Sequence, residues 1–139
     1  MEILHPKNMK LTLQLFGILA FTSLFLSCEG STTRERRITN NSSTSIHVVA
    51  DGANLSNYNK SITPSVNKGF FTSQQRGGTQ TLEDPASGVN NIEIVNTFGD
   101  TCTKDFFLID NWDIKTERKS EIPSEWKHEY TCIVEDSDF

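Results

Sequence analysis

Between Trp112 and Glu135 polar and apolar side chains alternate in two successive runs, and this period of two restricts the chain more than any other feature. Trp112, Ile114 and Thr116 alternate with Asp113, Lys115 and Glu117. After Ile122-Pro123-Ser124, one face collects Trp126, His128, Tyr130, Cys132 and Val134, and the other collects Lys127, Glu129, Thr131, Ile133 and Glu135. Successive side chains of an extended strand point to opposite faces, so the pattern predicts a half-buried antiparallel hairpin.

Composition extends this reading to the rest of the chain. From Cys28 onward there are 9 Ile and 6 Val but only 3 Leu, 3 Ala and no Met, so β-branched residues replace the apolar helix formers. Ser, Thr and Asn supply 35 of those 112 residues and suit exposed strand faces and turns. Further strands are expected at 37–40, 45–50, around Ile62, at 70–75, and as a hairpin formed by 91–97 and 101–105 around Phe98-Gly99-Asp100. Asp51-Gly52, Lys68-Gly69 and Arg76-Gly77-Gly78 read as turns, residues 54–59 as loop, and 79–88 as a long surface loop. Pro64 confines the Ile62 strand to an edge or an end. The expected fold is all-β, a small antiparallel β-sandwich or partly open barrel of about seven short strands.

The N-terminus is set apart. Lys7 and Lys10 precede residues 11–26, of which 11 of 16 are apolar, and Ser27-Cys28-Glu29-Gly30 follows. This charged, apolar, small-residue order is that of a secretory signal, and the apolar run is shorter than the roughly 20 residues of a spanning helix. Met9-Lys10 is an alternative start to Met1. Leu24-Phe25-Leu26-Ser27-Cys28 resembles the lipobox of bacterial lipoproteins, with Phe25 and Leu26 departing from its preferred residues. The resemblance implies alkylation of the Cys28 thiol by a diacylglyceryl group and cleavage before it. Two or more acyl chains, at roughly 0.8 kcal/mol per buried CH₂, would hold the body on a membrane. Cleavage near Gly30 with release, or retention of an uncut segment, are the competing outcomes. The resulting division is 1–27 signal peptide, 28–36 anchored tether and 37–139 β-domain. With Cys28 modified or removed, Cys102 and Cys132 remain. An even pair in an exported domain predicts a disulfide, closing a loop of about 30 residues and contributing about 3–4 kcal/mol.

Charge and motifs restrict function by exclusion. The net charge is −5, and removal of Glu2, Lys7 and Lys10 takes it to −6. An acidic chain with no basic stripe does not predict nucleic-acid binding. Only His47 and His128 lie beyond the signal, so no histidine-rich metal centre is expected. His128 beside Tyr130 is a conceivable general base but reads first as a partly buried, hydrogen-bonded histidine, and His47 is expected to point away from the apolar face. Asp100, Asp105, Asp110 and Asp113, with Glu135, Asp136 and Asp138, read as solvated hairpin ends, since their spacing matches no EF-hand loop. Trp112 and Trp126 are expected in the core, an exposed sugar-stacking platform being the alternative. Arg76-Gly77-Gly78 reads as a flexible turn that a ligand could approach closely.

The segments from Asn91 through Asp105, Leu108-Ile109-Asp110-Asn111-Trp112, and Glu129-Tyr130-Thr131-Cys132-Ile133-Val134-Glu135-Asp136 resemble the short lipoproteins of Bacteroidetes-type bacteria. That likeness implies an envelope address and a small β-domain, with no assigned activity. The expectation for function is a non-catalytic, lipid-anchored protein of the bacterial cell envelope, at the outer membrane, binding a protein or glycan partner. No cofactor, metal or catalytic residue is assigned. An inhibitor or immunity-type lipoprotein is the alternative, and a small hydrolase the third class.

Overall fold

The computed structural model describes residues 29–53 and 55–139; the signal segment and Cys28 lie outside the described residues. Seven strands follow one another: β1 (Ser31–Asn40), β2 (Ile46–Gly52), β3 (Leu55–Ile62), β4 (Val66–Arg76), β5 (Asn91–Asn96), β6 (Asp113–Ser120) and β7 (Glu125–Val134). They form a four-stranded sheet in the order β4-β1-β7-β6 and a three-stranded sheet in the order β3-β2-β5. The two sheets remain open, giving a small β-sandwich with no α-helix among the described residues. One pairing departs from the antiparallel expectation: β1 and β7 run parallel, in register from Ser31↔Glu125 to Asn40↔Val134.

The apolar core sits where the two sheets face each other. Ile46, Val48 and Ala50 of β2 and Ile92 and Ile94 of β5 meet Ile38 of β1 and Tyr130, Cys132 and Val134 of β7. His47 falls on the opposite face of β2 and is exposed, as its place in the alternation requires. A register shift against Arg36 and Arg37 lets both Phe70 and Phe71 of β4 reach the interior. Trp112 is buried and donates its indole N–H to the Phe106 carbonyl at 3.0 Å, whereas Trp126 is half-buried with the Arg118 guanidinium over its ring.

The start of the domain differs from its reading as a tether. β1 begins at Ser31, and its burial alternates strictly, with Thr32, Arg34, Arg36, Ile38 and Asn40 turned inward. Only Glu29 and Gly30 separate Cys28 from this strand, which is central in its sheet. Polar side chains can occupy a buried face here because nearly all of their donors find acceptors, the Arg34 Nε–H excepted. Asn40 gives its amide hydrogens to the Thr44 and Ile62 carbonyls, both at 2.8 Å, while its oxygen accepts from the Ser42 N–H and hydroxyl. Of the 54–59 segment expected as loop, residues 55–59 belong to β3, and within the described residues of 101–105 Thr101 alone forms a β-bridge to β5.

The disulfide is also corrected. Cys102 and Cys132 lie at the same end of the core but carry free thiols, and their sulfurs are not at bonding distance. Cys132 points inward from the middle of a sheet, and Cys102 is held on its own segment by a 2.8 Å bond from its N–H to the Ile94 carbonyl. Lys104 occupies the same corner, donating to the Ile133 carbonyl at 2.6 Å and pairing with Asp138 at 2.9 Å. Burial pushes the Cys132 thiol up to about 12 and raises that of Cys102 as well.

Candidate functional site

Toward the start of β1 the inner face of the larger sheet is covered by residues 77–90. A covering loop presents carbonyl groups, so the strands beneath it need donors, and the inward positions supply them. Thr32 Oγ1 donates to the Gly77 carbonyl at 2.9 Å, and His128 Nε2 donates to the Thr79 carbonyl at 3.1 Å. Arg36 donates from Nε to the Pro85 carbonyl and from Nη2 to the Ser87 carbonyl, with Nη1 on the Ser73 hydroxyl. The Tyr130 hydroxyl accepts from the Glu83 N–H at 3.2 Å. The loop keeps its shape through Asp84, whose carboxylate accepts from the Ala86 N–H at 2.8 Å, and turns at Gly88, where φ is +82°.

Arg36 is fully buried and has no carboxylate at ion-pair distance among the described residues. Its guanidinium lies 4.7 Å from the Phe71 ring centroid and 5.6 Å from that of Tyr130, and burial lowers its pKa. It fastens the loop to the sheet.

Arg34 is held differently. Its side chain is 3% exposed; Nη1 donates to Gln75 Oε1 and Nη2 pairs with Glu83 Oε1, both at 2.9 Å. Nε is buried and has no partner among the described residues. Arg34 forms one wall of an open cleft of about 240 Å³, completed by Phe71, Ser73, Gln74 and Gln75 of β4 and by Glu83, Ser87 and Gly88 of the loop. Gln74 lines it although it pairs with Thr33, on the outward side of β1, so the cleft reaches around the outer edge of β4. Such a site offers a guanidinium with an unused N–H, hydroxyl and amide groups, and one aromatic wall, which suits recognition of an anionic group.

The residues singled out in the sequence are placed elsewhere. His128 is fully buried, with Nδ1 facing the Thr116 hydroxyl at 2.9 Å and Nε2 bonded to Thr79, so both ring nitrogens are engaged. Among the described residues, His47 Nδ1 has the Ser61 hydroxyl as its hydrogen-bond partner, at 3.3 Å. The acidic residues serve turns and ends: Asp105 accepts from the Phe107 N–H, Asp136 from Ser43, and Asp138 from Lys104 and the Glu135 N–H. Among the described residues, no group of three or more His, Cys, Asp or Glu is arranged to hold a metal ion. The outward face of the larger sheet carries ion pairs, Lys127 to Glu35 and Glu129 and Arg37 to Glu35, which are solvated pairs. The cleft was missed because Arg34 and Arg36 fell within the supposed tether. The available signal was their phase with Ile38 in a period of two. Compared with protein-family models, curated proteins and solved structures, the chain matches none.

Proposed function

We propose that the protein is a lipid-anchored, non-catalytic module of a bacterial cell envelope that binds a protein or glycan partner, with the arginine cleft as its recognition site. The buried, unused Nε–H of Arg34 at the wall of an open cleft carries this reading. An unsatisfied buried donor costs about 1–3 kcal/mol, which a bound acceptor would relieve. The order of charged, apolar and small residues ending at Cys28 supports the anchor. Engagement of both His128 nitrogens supports a structural role for the residue best suited to acid–base work.

The test is to fractionate cells expressing the full chain, determine the mass of the Cys28-containing peptide, and capture partners from the intact envelope with wild type and Arg34→Gln. Acylated Cys28 in the membrane fraction, and a partner captured by wild type and lost in a folded Arg34→Gln variant, are expected. A soluble product with unmodified Cys28 would remove the anchor. Equal capture by the variant would remove the cleft.

A further inference from the structure

The two charged side chains at the cleft are mismatched, and the mismatch identifies the ligand. The Nε and Nη2 hydrogens of a guanidinium lie along one edge, and a planar carboxylate fits that edge with two parallel bonds. At Arg34 only half of this edge is used: Glu83 Oε1 takes Nη2 at 2.9 Å, while Nε is left without an acceptor. Glu83 reaches in from the covering loop, with a side chain 39% exposed. It therefore balances the charge without completing the geometry. A ligand carboxylate displacing it would make both bonds and leave the local charge unchanged. A phosphate dianion would bring one negative charge more than the Glu83 carboxylate that it displaces.

The rest of the cleft indicates what carries the carboxylate. β4 is an edge strand, bonded to β1 on one side only. Among the described residues, no backbone group outside the strands bonds to the Ser73–Gln75 stretch that lines the cleft. The register shift of β4 lies earlier, opposite Arg36 and Arg37, so this stretch pairs regularly with Thr32–Arg34 and presents an undistorted edge. An extended peptide can add to such an edge through its main chain.

We infer that the cleft binds the C-terminal carboxylate of an extended peptide, which displaces Glu83 from the Nε–Nη2 edge of Arg34 and lays its last residues along the free edge of β4. This rests on the cleft being the recognition site, and it narrows the partner to a protein with an accessible C-terminus. The test is NMR titration of the full ¹⁵N-labelled chain in detergent, following the Arg34 Nε–H signal (identified by its loss in Arg34→Lys) and the amides of residues 73–75. The probes are acetyl-triglycine with a free carboxylate, its C-terminal amide, and glucuronate. The acid is expected to shift both sets of signals, and the amide neither. Glu83→Gln, a change at a half-exposed position, is expected to tighten binding of the acid about fivefold by weakening the internal competitor. If glucuronate moves Nε–H and the peptide acid does not, the peptide assignment falls while the cleft survives. If no probe moves Nε–H, both fall. Weaker binding by Glu83→Gln would overturn the displacement.

Discussion

Asn40 shows how much of this fold depends on single polar groups. It donates twice and accepts twice, tying the end of β1 to the turn at Ser42–Thr44 and to the last residue of β3. Asn40→Asp keeps the shape and the acceptor but sets a carboxylate against two carbonyl oxygens. Its expected cost is about 3 kcal/mol, read as a fall in the urea midpoint at pH 7. The Cys132–Lys104 corner predicts an alkaline limit. The folded state holds the Cys132 proton up to about 12, and the pKa values of Cys102 and Lys104 are raised too. The unfolded chain gives up its thiol protons first, near pH 8.5–9, so stability is complete below that range and falls as pH rises toward 12. Urea midpoints at pH 8 and pH 10.5 should differ clearly, and Cys132→Val should flatten the slope.

Among the elements, the 77–90 segment behaves as the second layer over the part of the larger sheet that holds Thr32, Arg36, His128 and Tyr130. Its carbonyls are held by Thr32, Arg36 and His128. Arg36→Met keeps bulk on the sheet but strands the Pro85 and Ser87 carbonyls. A loss of about 3–5 kcal/mol is expected, with faster tryptic cleavage at Arg76 as the loop detaches. What the sequence disclosed follows from the same contrast. β2, β5 and β7 were legible because their inward positions are mostly apolar or aromatic and alternate with polar ones, and β6 through Ile114 and the alternation around it opposite β7. Of β1 only the Arg37–Asn40 end was, because Thr32, Arg34 and Arg36 take the inward phase of Ile38 as polar residues, held there by bonds to the 77–90 segment 45 to 51 residues away. The cleft stayed hidden for the same reason. β3 was obscured by its Asn and Ser content, and the disulfide expectation failed on geometry that spacing does not encode.

For the molecule as a whole, the decisive feature is that β1 and β7 lie side by side in the middle of one sheet, and every strand between them is peripheral or in the other sheet. A chain ending at Ser124 would leave the inner edge of β1 unpaired and remove Tyr130, Cys132 and Val134 from the core. Such a truncation is expected to show no cooperative thermal transition by circular dichroism. If the chain is exported as we propose, the first strand to emerge would wait for the last before its sheet could close. The segment leading out of the translocon would thus spend the longest time open to chaperones and proteases. Its Thr- and Arg-rich, sparingly apolar composition would keep that waiting strand from sticking to its neighbours.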